Sequence, residues 1–265
     1  HVHEAFDCFQ RMQNEGLSLD AITFISVLKA CSKAQILTKG KQIHGGIVLS
    51  GLLDKDIVLG TALIDMYARC GEFAKAEQVL EELPVRDVVS WSALIGGYVR
   101  KGKAHEALLC FEKMQCEGLS PDVVTFVSLL KACGTIGDIE MGKKVHNEIN
   151  SMGLLELNIV LGNSLVDMYV RCGVLVKAQE ILKELPIRDV VSWNALISGY
   201  AQNGLGDEAL KCFRHMQNVG VRPDARTYAC VLKSCGIVRS LEIGEEINAE
   251  IRKEGLLRKD IVLGN

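Results

Sequence analysis

The side chains of this 265-residue chain that could do chemistry recur in rows. Cys8, Cys110 and Cys212 stand 102 residues apart, as do Cys31, Cys133 and Cys235, and as do Cys70 and Cys172. Only Cys116 and Cys230 of the ten cysteines fall outside these rows. Thiolates could hold a metal or pair as disulfides. A zinc site, however, draws its ligands from close pairs such as Cys-x-x-Cys, and the chain has none. Free cysteine packs as a small apolar residue, so the ten cysteines, inside and outside the rows, read as core, which implies a reducing compartment such as the cytosol or an organelle matrix.

Histidine chemistry fares no better. His44 and His146 are equivalent, but the third copy carries Asn248, which argues against a required ligand or base. His1-Val-His3-Glu4 lacks a downstream Pro-Cys-x-x-Cys, so the signature of zinc-dependent deaminases is absent here. There is no phosphate-cradling loop, no nucleophile elbow and no carboxylate pair tied to a histidine. The expectation is therefore no catalytic residue, no metal and no cofactor. Hydrogen-bonding and stacking side chains are left.

The elements that must position those side chains follow from the period. Arg86-Asp-Val-Val-Ser-Trp91 returns as Arg188-Asp-Val-Val-Ser-Trp193, and Asp65-Met-Tyr67 as Asp167-Met-Tyr169. Ile57–Gly60 returns at Ile159–Gly162 and Ile261–Gly264, and the four prolines form the pairs Pro84/Pro186 and Pro121/Pro223. A fixed period means one structural unit stacked on itself. Each period of 102 divides into units of 35, 36 and 31 residues, each with two helical patterns and a turn. In residues 88–122, Leu94, Ile95 and Tyr98 share one face, and Gly102 ends the first helix. Ala107, Leu108, Phe111 and Met114 form the stripe of the second, which Gly118 terminates before Pro121. Two helices of about twelve residues cannot bury their apolar faces alone, whereas a stack of them builds a continuous core. The expectation is all helix, about seven complete hairpins and no sheet.

Composition agrees. Apolar residues make up 48% and aromatic ones only 5%, which suits thin helical layers. No apolar run is long enough to span a membrane. The formal net charge of −3 gives no overall basic footprint, although one face of a stacked array can be basic while the other is acidic. Trp91, Trp193, Phe24, Phe126 and Tyr228 occupy equivalent places early in first helices, where packing between helices is expected in preference to base stacking. The chain begins within one unit and stops a few residues into another, and so reads as an internal piece of a longer protein without its targeting signal.

These residues resemble a known family. Val-Val-Ser-Trp-Asn-Ala-Leu-Ile-Ser-Gly-Tyr at 190–200, with Glu208-Ala-Leu and Arg222-Pro-Asp224, is similar to the pentatricopeptide repeat. The cycle of lengths resembles the plant subclass built from P-, L- and S-type motifs, with Lys29-Ala-Cys31 and Gly40-Lys-Gln-Ile-His44 matching the L type. Asp65-Met-Tyr-Ala-Arg-Cys-Gly71 matches the S type. The resemblance divides the chain into a partial P-type repeat at 1–20, then L 21–56, S 57–87, P 88–122, L 123–158, S 159–189, P 190–224, L 225–260 and the start of an S-type repeat at 261–265.

The resemblance implies an all-α solenoid, a right-handed superhelix of helix-turn-helix hairpins that binds single-stranded RNA at one nucleotide per repeat. In this family the fifth and last residues of a motif read the base, the second wedges beside it, and a basic thirteenth meets phosphate. Here the reading pairs become Thr61/Asp87, Ser92/Asp122, Asn163/Asp189 and Asn194/Asp224. The L-type pairs Ile25/Asp56, Val127/Asn158 and Ala229/Asp260 have fifth residues without a polar group and should read weakly or not at all. An ionised Asp only accepts hydrogen bonds, so it favours guanine or uracil, which offer a ring N–H. The family then assigns guanine to a short Ser or Thr partner and uracil to Asn.

The second positions are Ile22, Val58, Val89, Val124, Val160, Val191 and Val262, with Arg226 as the exception; Val58, Val89, Val160 and Val191 are the expected base-sandwiching residues of the polar repeats. Core packing at a helix start is the competing role for all of them. The thirteenth positions supply Lys33, Arg69, Arg100 and Arg171 for phosphate, whereas Thr135, Gln202 and Ile237 break the row. The mixed P, L and S order further implies the RNA-recognition part of an organellar cytidine-to-uridine editing factor, with other editing-complex proteins as partners, in the mitochondrion or alternatively the chloroplast. The alternatives are RNA binding for splicing, cleavage or transcript stability, and a protein-binding scaffold of tetratricopeptide type. The latter keeps a 34-residue period, against the 35/36/31 cycle seen here.

Overall fold

The computed structural model describes residues 2–156 and 158–254, and these hold fifteen α-helices and no strand. The chain divides into two compact units, His1–Ala132 and Cys133–Asn265. The first contains α1 (Val2–Asn14), α2 (Ala21–Ala34), α3 (Leu37–Ser50), α4 (Ile57–Cys70), α5 (Phe73–Glu82), α6 (Val88–Arg100), α7 (Ala104–Cys116) and the first part of α8 (Val123–Ile136). The second contains the rest of α8, then α9 (Ile139–Ser151), α10 (Ile159–Arg171), α11 (Leu175–Glu184), α12 (Val190–Gln202), α13 (Gly206–Asn218), α14 (Ala225–Val238) and α15 (Leu241–Lys253).

Within each unit the packing repeats. In the first, α4 lies against α5 and against the first helices before and after it, α2 and α6. In the second, α12 packs in the same way on α13, α10 and α14. Each of these two first helices also touches the second helix of the hairpin before it, α3 and α11 respectively, which is how short hairpins that cannot fold alone share one core.

The local sequence starts and stops these helices. The Asp87 carboxylate accepts the Ser90 N–H at 2.8 Å, while the Ser90 hydroxyl accepts the Asp87 N–H at 3.1 Å, a reciprocal cap that recurs at Asp189/Ser192 and Asp224/Thr227. Such a cap stabilises a helix by about 1 kcal/mol. Gly102 and Gly118 take φ of +74° and +75°, the left-handed geometry expected where each helix of that hairpin ends.

Leu94, Ile95, Tyr98, Ala107, Leu108, Phe111 and Met114 are all buried, as the periodicity requires. The aromatic row is core as well, with Trp91, Trp193, Phe24, Phe126 and Tyr228 each no more than 5% exposed. Cys31, Cys133, Cys235, Cys110 and Cys212 are buried, whereas Cys70, Cys172 and Cys230 are half-buried. Cys8 and Cys116 are exposed and correct the core assignment at those two positions. Burial pushes the Cys110, Cys133 and Cys212 thiols up to about 12 and Cys31 to about 11, so these groups stay protonated.

The repeated histidines have a structural partner. His44 Nδ1 lies 2.9 Å from the Tyr67 hydroxyl and His146 Nδ1 lies 3.0 Å from that of Tyr169. Burial lowers the pKa of both imidazoles and raises that of both phenols, so neutral His–Tyr couples tie α3 to α4 and α9 to α10.

Candidate nucleic-acid interface

Every described residue at the last place of a unit stands immediately before a first helix, because the next hairpin needs its cap there. Asp56, Asp87, Asn158, Asp189 and Asp224 each accept backbone N–H groups of the helix that follows. Asp122 likewise accepts the Thr125 N–H at the start of α8, at 2.8 Å. One carboxylate oxygen is thereby committed to the fold. The capping role was not part of the sequence expectation, although Asp or Asn directly before an apolar helical run is its usual signature.

The structure brings three of the four polar pairs into hydrogen bonds. Asn194 Nδ2 donates to Asp224 Oδ1 at 3.0 Å, and Asn163 Nδ2 donates to Asp189 Oδ1 at 3.2 Å and Oδ2 at 3.3 Å. The Ser92 hydroxyl donates to Asp122 Oδ1 at 3.3 Å and also meets the Thr125 hydroxyl. Thr61 differs: its hydroxyl donates back to the Ile57 carbonyl of its own helix at 3.0 Å, not to Asp87. Burial raises the Asp224 pKa, but hydrogen bonds from the Thr227 backbone, Asn194 and the Thr227 hydroxyl outweigh it and hold the carboxyl below its ordinary value. A group so held is an acceptor at neutral pH. An amide N–H beside a carboxylate oxygen presents a donor and an acceptor side by side, the complement of a base edge with a carbonyl next to a ring N–H.

The second positions are not core. Val58, Val89, Val124, Val160 and Val191 are between 51% and 61% exposed, and Ile22 is 73% exposed. Arg226 is exposed too. Apolar side chains left in solvent one turn before the polar pairs form a surface on which flat rings could rest. Asp260 of one L-type pair and the second-position Val262 lie outside the described residues.

The basic row is more neutral than its sequence implies. Asp65 receives Arg69 Nε at 2.8 Å, Arg100 Nη2 at 3.0 Å and the Ser32 hydroxyl at 2.9 Å. Two guanidinium groups around one carboxylate leave one net positive charge. Burial, then the neighbouring Arg69, lower the Arg100 pKa. Arg171 pairs one to one with Asp167 at 2.6 Å, which cancels its charge. Lys33 is exposed at the end of α2. The partners Asp65 and Asp167 sit one helical turn before their arginines and were legible as such; the reach of Arg100 across to α4 was not.

No group of three or more potential metal ligands occurs among the described residues, and no described helix is long and apolar enough to cross a membrane. The fold and this row of capped, paired polar side chains define an all-α solenoid of helical hairpins. Models of the PPR repeat family match residues 86–135 and 188–236, and models of the PPR repeat match 61–88, 124–154 and 163–190. The chain belongs to the pentatricopeptide repeat family.

Among its relatives in Arabidopsis thaliana, the mitochondrial pentatricopeptide repeat-containing protein At3g09040 is 36% identical over 99% of this chain and 25% of its own length. The chloroplastic protein At4g18520 is 37% identical over 97% of this chain and 41% of its own. The chain thus spans less than half the length of these relatives. The crystal structure of the pentatricopeptide repeat protein PPR10 in complex with an 18-nt psaJ RNA element has the same fold, with a TM-score of 0.75, 24% identity, and coverage of 94% of this chain and 37% of PPR10.

Proposed function

We propose that this chain binds single-stranded RNA in sequence-specific fashion, one base per hairpin, as the recognition part of an organellar cytidine-to-uridine editing factor. The observation that carries the reading is the recurrent trio of an exposed valine, a polar fifth residue and the carboxylate that caps the next hairpin. PPR10, a member of the same family, is seen with RNA bound. Relatives labelled mitochondrial and chloroplastic support an organelle, which we take to be the mitochondrion, with the chloroplast as the alternative. The 35/36/31 cycle supports the editing subclass and its L, S and P boundaries. No step of the deamination is assigned to these residues.

In this reading Val58, Val89, Val160 and Val191 clamp base faces, as apolar and aromatic surfaces do for unstacked bases. Thr61/Asp87 and Ser92/Asp122 select guanine, Val127/Asn158 is permissive with a pyrimidine leaning, and Asn163/Asp189 and Asn194/Asp224 select uracil. With the N-terminus toward the RNA 5′ end, selection from a randomised RNA pool should enrich 5′-G-G-N-U-U-3′. A pool with no guanine or uracil enrichment at those positions overturns the assignment.

Lys33, Arg69, Arg100 and Arg171 serve the phosphates. Changing Arg69, Arg100 and Arg171 together to Ala should weaken all RNAs alike and flatten the salt dependence, by about 0.7 in log–log slope for each phosphate no longer neutralised. Because Asp65 offsets one of the two charges of Arg69 and Arg100, Asp65→Asn should tighten binding at low salt and steepen the same slope. A slope unchanged in both variants excludes these arginines from binding the RNA backbone.

A further inference from the structure

The two Asn/Asp repeats differ in a way the reading pair alone does not reveal. Beside Asn194, the first residue to note is Thr227, the third residue of the next hairpin, which is completely buried. Its hydroxyl shares its one proton between Asn194 Oδ1 at 2.6 Å and Asp224 Oδ1 at 2.9 Å, with Asn194 the nearer acceptor, while accepting the Asp224 N–H at 3.0 Å. Asp224 can only accept, so the amide nitrogen of Asn194 must face it, and the amide oxygen must face Thr227. The acceptor of Asn194 is consumed. What remains for a ligand is the second amide hydrogen and Asp224 Oδ2, which takes none of the bonds from Asn194 and Thr227.

Beside Asn163 the third residue is Ser192, and its hydroxyl turns to the Asp189 backbone, donating to the carbonyl at 2.9 Å and accepting the N–H at 3.0 Å. Asn163 Oδ1 is buried with no hydrogen-bond partner. An amide oxygen without a donor is free to be satisfied by a base amino group after a small rotation of the side chain, and leaving it unpaired in the interior is costly. The same pair of residue types therefore sits in two different states.

We propose that the third residue of the following repeat is a specificity-determining positioning residue: Thr227 locks Asn194 as a donor only, so that its repeat rejects bases presenting an amino group, whereas Asn163, with no such lock, accepts cytosine more readily. The inference rests on the RNA-reading function proposed above. It distinguishes two repeats to which the reading pair assigns the same base, and it places part of the recognition on a buried residue that does not touch the ligand. Thr125 stands in the same relation to Ser92 and Asp122, with its hydroxyl 2.7 Å from Asp122 Oδ1.

The test is a set of binding titrations of the 265-residue chain with 5′-GGUUU-3′ embedded in an unstructured RNA and with single uracil-to-cytosine changes at the Asn163 and Asn194 positions. The change should cost roughly tenfold or more in affinity at Asn194, the loss typical of one wrong base, and only about two- to threefold at Asn163. Thr227→Val should reduce the Asn194 penalty to the Asn163 level, and so should Thr227→Ser, which installs the residue whose hydroxyl turns to the backbone and leaves Asn163 unlocked. Equal penalties at the two positions in the unaltered chain overturn the proposal, and this comparison stands even if Thr227→Val does not fold. A penalty at Asn194 that Thr227→Val leaves intact overturns it as well. No base preference at either position instead removes the RNA-reading function on which it rests.

Discussion

Replacing Asn194 by Ser is expected to move the base preferred by its repeat from uracil to guanine and to leave the neighbouring repeats as they are. The substitution rebuilds at residues 194, 224 and 227 the arrangement already present at Ser92, Asp122 and Thr125, where one hydroxyl reaches both the capping carboxylate and the threonine. A shorter side chain retreats from the base and makes room for a purine, while the free oxygen of Asp224 still seeks a ring N–H. A wrong base at a read position costs on the order of 1–3 kcal/mol, or about fivefold to more than a hundredfold in affinity. Selection from an RNA pool randomised at this position measures it. A variant that still selects uracil means that the Asn194/Asp224 pair does not set the base.

The second large effect concerns stability. A Cβ on Gly97 would collide with the Ala68 Cβ, so α4 and α6 lie too close for any side chain there. The next copy repeats the close approach, since a Cβ on Gly199 would fall 2.5 Å from Val170 Cγ1. Both partners are short and rooted in a helix, so neither can swing aside. Gly97→Val is expected to cost about 2–3 kcal/mol by overpacking. Gly45→Ala, on the exposed face of α3 with nothing within 4 Å, should instead stabilise by up to about 1 kcal/mol, the helix preference of Ala over Gly. Urea denaturation of the two variants checks the pair. If Gly97→Val unfolds at the same urea concentration as the unaltered chain, the first helices of adjacent hairpins do not pack as described.

The helices and most of their core were legible because they rest on spacing within one segment. Leu94, Ile95 and Tyr98, or Ala107, Leu108, Phe111 and Met114, fall on one face whatever surrounds them, and Gly102 and Gly118 mark where that face ends. Cys8 and Cys116 were misassigned as core, since equivalence within a row or a cysteine's usual burial does not establish a neighbour at each place. The valines at the second positions stood between core and surface in the sequence; only the packing of neighbouring first helices shows that these side chains point to solvent.

The candidate site was legible as a row of residue types and not as a network. Asp87, Asp122, Asp189 and Asp224 were identified by place, but their capping duty, which would tie the proposed base reading to the start of the next helix, depends on backbone geometry. Thr227 and Thr125 repeat at the same interval as the cysteines, yet nothing in that spacing says that their hydroxyls reach back to the previous hairpin. The sharing of Asp65 between Arg69 and Arg100 joins residues 35 positions apart, and so escapes any reading of a single helix. Interactions across hairpins set which polar atoms remain available, and these were the ones the sequence left open.

Reading of bases in a fixed order along the chain is the central claim, and fluorescence anisotropy on two labelled RNAs of identical composition tests it most directly. One carries 5′-GGUUU-3′ and the other the reversed core 5′-UUUGG-3′ within the same flanks. The reversal places the wrong base at all four polar repeats, and each mismatch costs on the order of 1–3 kcal/mol. The forward RNA should bind at least about a hundredfold more tightly. Equal affinity, or tighter binding of the reversed RNA, contradicts the account.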